Sequence, residues 1–114
     1  MRRDDERLRD ILERIDSAQR AVAGKSRTDL GADPVLPSAI QYHLLIIGEA
    51  ASNISFELRK RHPQVPWNQI RAFRNILVHE YFSRDLDIIW QAVSADLPPL
   101  RAQIEQILKA EFPD

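Results

Sequence analysis

The chain has 114 residues and no cysteine, and its 16 Lys and Arg against 17 Asp and Glu leave a formal charge of −1. That length suits one domain burying about two thirds of its unfolded surface, the missing thiols exclude a disulfide framework or a thiolate metal site, and the near-neutral charge excludes gripping nucleic acid by bulk electrostatics alone. The opening "MRRDDERLRD" is too charged for a signal peptide and no apolar run reaches the roughly 18 residues of a membrane span, so a soluble, cytoplasmic protein with no membrane segment is expected.

Residues 4 to 23 carry Leu8, Ile11, Leu12, Ile15, Ala18 and Val22 on one helical stripe, with Asp4, Asp5 and Glu6 at the dipole's positive end and Gly24 as terminator. The stretch "GKSRTDLGADPVLPS" holds two glycines and two prolines and is expected to be a loop. Ser38 with Gln41 resembles a capping box opening a second helix, which Ile40, Leu44, Ile47, Ala51, Ile54 and Leu58 carry to residue 58. Gly48, Ala50 and Ala51 form a small-residue patch that would let another helix approach closely.

"RHPQVPW" breaks the chain, and a third helix is predicted from Trp67. After "SRD", Leu86, Ile89, Val93, Leu97, Leu100, Ile104 and Ile107 keep one apolar register across Pro98 and Pro99, which predicts a kinked helix or two abutting helices. No segment alternates like a strand. The expected architecture is all-α: a single domain over residues 1–114, an up-down bundle of four to five helices.

Charge is unevenly spread, net +4 over residues 57–84 against −4 over 85–114. The basic excess surrounds "RNILVHEY", residues 74–81. At about 100° per residue, Ile70, Phe73, Leu77 and Tyr81 fall on one side of that helix, Arg71, Asn75 and His79 on the other, and Arg74 on the border. Arginine matches a phosphate with a planar fork, histidine takes and returns a proton near neutrality, and a phenol or amide holds a phosphate oxygen. RNA brings its own nucleophile, the 2′-hydroxyl, so these groups suffice for its cleavage without a metal or cofactor. One helix spreads Arg74 and His79 about 7.5 Å apart in rise; two copies across a two-fold axis would gather them around one phosphodiester, which predicts a homodimer. A solvated face with a chance histidine remains the plain alternative.

The pattern Arg74, four residues, His79, any residue, Tyr81 resembles the signature of HEPN-domain ribonucleases, in particular the HepT toxins paired with minimal nucleotidyltransferase antitoxins. "LLIIGEAA" at 44–51, "RHPQVPW" at 61–67, "VHEYF" at 78–82 and "DLDIIWQAVSADLPPLRAQI" at 85–104 are similar to HepT in the same order. The resemblance implies a homodimeric HEPN bundle with the motif helices at its interface, and metal-independent endoribonuclease activity. It makes Arg74 and His79 the catalytic pair, gives Asn75 substrate positioning beside Arg71, and makes Tyr81 the residue adenylylated by a cognate nucleotidyltransferase. Glu80 departs from the family, which often has glycine after the histidine; on the helical projection it points about 100° away from His79 and need not enter the site, yet a carboxylate near a phosphate pocket would oppose substrate.

From a different class, the same dimer could be a non-catalytic module that binds a nucleotidyltransferase, a nucleotide or RNA without cutting. His43, His62 and His79 lack metal-ligand spacing, and His43 is expected to be a partly buried helix-face residue. Glu49 is expected to form a structural salt bridge, or to orient an arginine of the third helix. Trp67 and Trp90 are expected in the core, and Arg59, Lys60 and Arg61 at a helix C-terminus, where the dipole favours them.

Overall fold

A computed structural model describes residues 3–79 and 85–113, with His79 represented by its backbone. Helix α1, Asp4–Val22, buries Leu8, Ile11, Ile15 and Ala18 at the predicted spacing and holds Leu12 and Val22 against the same core. It stops where expected: Gly24 adopts φ +73°, a left-handed conformation that glycine enters without a Cβ clash.

The stretch expected to be a loop contains a helix, α2, Arg27–Ala32. Ser26 Oγ accepts a hydrogen bond from Asp29 N, and the Asp29 carboxylate in turn accepts one from Ser26 N, at 3.3 and 2.8 Å. This reciprocal capping offsets the cost of so short a helix. Leu30 is fully buried, and Arg27 Nε donates to Asp87 Oδ1 at 2.6 Å.

Helix α3, Leu36–Ser52, begins two residues before the expected cap, so Ser38 lies inside it. Asp33 Oδ1 accepts from Val35 N and Leu36 N at 2.8 and 3.2 Å, and Pro37 occupies the first turn, where its missing N–H costs no hydrogen bond. Nor does this helix reach residue 58. A turn at Asn53–Ile54 separates it from α4, Phe56–Arg61, capped by Ser55, whose Oγ accepts from Leu58 N and donates to Asp4 Oδ2 at 2.6 Å. Ile54 and Leu58 are still buried, so the rhythm reported the core correctly and the helix length wrongly.

Helix α5, Trp67–His79, follows the proline turn. Helix α6, Leu86–Gln91, then runs through a π-helical turn, Ala92–Asp96, into α7, Leu97–Glu111, with Pro98 and Pro99 in its first turn. Of the two expected arrangements, a kinked helix or two abutting helices, the structure has two helical segments run together through a wide turn. Four long helices, α1, α3, α5 and α7, make the bundle, with the short ones bracing its ends; among the described residues there is no strand. Helix α3 is central, packed on α1 along one side and on α5 along the other, while α7 closes over α1.

Charged ties fix this order. Arg101 Nε donates to Asp16 Oδ1 at 2.7 Å, joining α7 to α1, and Arg61 Nε donates to Glu111 Oε2 at 3.1 Å, joining α4 to the end of α7. His62 also hydrogen-bonds Glu111. Trp67 is buried and Trp90 partly so, as expected of core aromatics. Among the described residues, no helix is long and apolar enough to cross a membrane.

Candidate functional site

Helix α5 shows the two sides that the spacing predicts. Leu77 is buried and Ile70 and Phe73 pack against the core, whereas Asn75 is exposed and Arg71 half-buried. Arg74 lies between them, over the small-residue patch of α3. A Cβ built on Gly48 would stand 2.5 Å from Arg74 Cβ and 2.9 Å from Arg74 Cγ, so only glycine permits this approach.

The crossing places Glu49 beside the arginine. Arg74 Nε donates to Glu49 Oε1 at 2.6 Å, Nη2 contacts the same oxygen, and Nη1 donates to Asn75 Oδ1 at 3.0 Å. The guanidinium is thereby held by its neighbours. With 29 % of the Arg74 side chain exposed, and 42 % of Glu49, the cation remains open to an anion from solvent. Both roles weighed for Glu49 are met by this one contact: it is an ion pair, and it orients an arginine of the third helix.

Arg71, one turn earlier, makes no hydrogen bond or ion pair among the described residues. The backbone of His79 closes α5, five residues beyond Arg74. Its side chain, Glu80 and Tyr81 lie outside what is described. Arg71, Arg74 and Asn75 are thus brought onto one accessible stretch of helix, with His79 next in sequence register.

His43 is drawn elsewhere. Its Nδ1 is 3.4 Å from Arg14 Nη1 on α1, and burial, followed by the nearby Arg14 charge, lowers its pKa, which keeps the ring neutral near pH 7. His62 is engaged with Glu111 at the far end of the bundle. Among the described residues no three His, Asp or Glu side chains cluster as metal ligands would.

Asn68 is a residue that the motif does not mark. It stands at about 120° on the same projection, between Asn75 at about 100° and His79 at about 140°, and it is exposed. Its seven-residue spacing from Asn75 was the available signal.

A family model described as HepT-like, "Ribonuclease HepT-like", matches residues 11–107. The chain belongs to the HepT-like ribonuclease family. The match runs from the middle of α1 to the last turns of α7 and includes every residue of the α5 stripe. Among relatives of this HepT-like chain, "Putative RNase TTE0752" of Caldanaerobacter subterraneus subsp. tengcongensis is 39% identical over 104 residues, covering 91% of this chain and 93% of that protein. "Probable ribonuclease HepT" of Thermococcus cleftensis is 32% identical over 102 residues, covering 90% and 93%. "Putative RNase MJ1380" of Methanocaldococcus jannaschii is 32% identical over 98 residues, covering 86% and 90%. No solved structure matches the chain.

Proposed function

We propose that this chain is a single-domain, metal-independent endoribonuclease acting as a homodimer on cytoplasmic RNA, the toxin of a toxin–antitoxin pair. The observation that carries the proposal is the guanidinium of Arg74, oriented by Glu49 and Asn75 yet open to solvent, on the helix that ends in His79. Membership of the HepT-like ribonuclease family supports the same chemistry.

In the proposed reaction the 2′-hydroxyl oxygen attacks the adjacent phosphorus, and the bond to the 5′-oxygen breaks. The products are a 2′,3′-cyclic phosphate and a 5′-hydroxyl. His79 of one protomer removes the 2′ proton, and His79 of its partner returns one to the leaving oxygen. Arg74 stabilises the negative charge that grows on the non-bridging oxygens, Asn75 hydrogen-bonds a phosphate oxygen, and Arg71 attracts the strand. Adenylylation of Tyr81 by a cognate nucleotidyltransferase would set a negatively charged, bulky group near Arg74 and exclude the substrate.

The rival proposal, a non-catalytic module that binds a nucleotidyltransferase, a nucleotide or RNA, draws support from Glu49, whose carboxylate occupies the guanidinium that a phosphate would need. One experiment separates the two. Purified protein is incubated with total RNA in EDTA, wild type beside His79→Ala and Arg74→Ala, and the product ends are analysed. Cleavage that survives chelation, leaves 2′,3′-cyclic phosphate and is lost in both variants is the expected result. Intact RNA with wild type, or equal cutting by His79→Ala, would discard the nuclease.

A further inference from the structure

Arg59 and Lys60 of the basic cluster are left without a role by the chemistry above, and the fold places both of them in the wall of an open cavity of about 540 Å³. Phe56, with 65% of its surface exposed, lines the same cavity, as do Asn68 and Gln69 from the start of α5. Three features of this hollow point to one kind of ligand. Arg59 lines the wall half-buried, its Nε covered and without a hydrogen-bond partner among the described residues, so the cation is not neutralised there by a bond from Nε to a carboxylate. Lys60 is exposed beside it. An aromatic ring left in water next to two cations offers a stacking face for a base beside a seat for a phosphate.

The end of α5 adds to this. Its first α-helical hydrogen bond runs from Ile70 N to Pro66 O at 3.0 Å, so the Asn68 and Gln69 amides come ahead of it, at the positive end of the helix. The cavity also has a fixed relation to the candidate active site. Asn68, exposed like Asn75, begins the stripe whose helical register runs through Arg71 and Asn75 toward position 79, and a rise of 1.5 Å per residue puts Asn68 about 9 Å from Arg74 along the axis.

We propose that this cavity is a nucleotide subsite that holds one unit of a single-stranded RNA, its phosphate on Arg59, Lys60 and the start of α5 and its base against Phe56, while the strand continues along the α5 stripe. The proposal rests on the nuclease reading for the position of the scissile phosphate. A nucleotide unit could come from a strand or from a free mononucleotide, and the stripe leading out of the cavity favours the strand.

The test uses the full-length His79→Ala protein, which leaves RNA uncut, and a fluorescein-labelled hexaribonucleotide followed by anisotropy. Asn68→Asp and Phe56→Ala are made in that background. A carboxylate in the first turn of α5 suits the helix dipole, so Asn68→Asp keeps or raises thermal stability while repelling phosphate. Each variant is expected to bind the hexanucleotide about tenfold more weakly, the size expected for losing one stacked base or one phosphate seat. Free 5′-AMP is expected to compete only at concentrations far above that of the oligonucleotide. Unchanged affinity in both variants overturns the subsite, and displacement by 5′-AMP at concentrations comparable to the oligonucleotide overturns its assignment to a strand. Because binding is read on uncut RNA, a wild-type protein that fails to cleave would refute the nuclease proposal and leave this measurement standing.

Discussion

Glu49 and Arg74 meet where α3 and α5 come closest, Arg74 Nε donating to Glu49 Oε1 at 2.6 Å directly above the bare backbone of Gly48. The carboxylate therefore holds the arginine in place and also competes with any phosphate that approaches it. Replacing Glu49 with Gln keeps an acceptor for the guanidinium and removes the competing charge. Glu49→Gln in the His79→Ala background should bind RNA about threefold more tightly and lose less than about 1 kcal/mol of stability, since a pair this exposed is well screened. Anisotropy titration and thermal melting check both parts, and weaker RNA binding would show that the carboxylate aids the anion.

Gly48→Ala tests the crossing itself. Alanine would gain about 1 kcal/mol of helix propensity, but its methyl group would stand 2.5 Å from Arg74 Cβ, an atom tied to the α5 backbone that cannot swing aside. Overpacking of this kind costs about 1–3 kcal/mol, so α3 and α5 must separate. The melting temperature followed by circular dichroism should fall by about 5 °C or more. A variant as stable as wild type would mean that the helices are less closely set.

Arg71→Ala should leave the fold intact, because the side chain has no partner among the described residues. If Arg71 attracts the strand, RNA affinity should fall and the slope of log affinity against log salt should become shallower by about 0.7, one phosphate contact on a single strand. An unchanged slope would place Arg71 outside the RNA path.

Acid stability should depend on the far end of the bundle. The hydrogen bond from Arg61, against an opposing effect of burial and with help from His62, brings Glu111 from its ordinary 4.5 down to about 2. A carboxyl that is more acidic folded than unfolded stabilises the fold above the unfolded value. That stabilisation is lost as pH falls from about 4.5 to about 2. In urea titrations across that range, Glu111→Gln should be less stable than wild type at pH 6 and should converge on it near pH 2. Parallel curves would remove Glu111 from the acid response.

Periodicity made the long helices and the core legible, because burial enforces the three-four rhythm directly: Ile11 and Ile15, Leu44 and Ile47, and Ile104 and Ile107 all lie where the stripes put them. Boundaries were harder, because caps depend on where a short polar side chain turns. Ser38 has the spacing of a cap, yet Asp33 reaches the two amides that needed one. Ser26 with Asp29 has the same spacing and does cap, in a stretch whose glycines and prolines suggested a loop. Ile54 and Leu58 kept step across a break because both sides of the turn face the same core. At the site, Gly48 and Glu49 could be read from α3 alone. The cavity beside Phe56 could not, since it depends on how α4 meets the start of α5.

The π-helical turn explains how Pro98 and Pro99 fit within one apolar register. Ile89, Val93 and Leu97 step by four twice in succession, which on a regular helix would over-rotate the stripe by about 80°, and the wide turn absorbs that excess, with Leu97 N reaching back to Ala92 O. The turn therefore acts as a phase adjuster one residue deep. Ser94 and Ala95 face solvent, the Ser94 hydroxyl donating to Trp90 O at 2.6 Å, and their side chains can be exchanged at small cost. Their number cannot, because deleting either would turn α7 by about 100° relative to α6 and carry Arg101 away from Asp16 and Glu111 away from Arg61. In this stretch the chain is tolerant of spelling and strict about length.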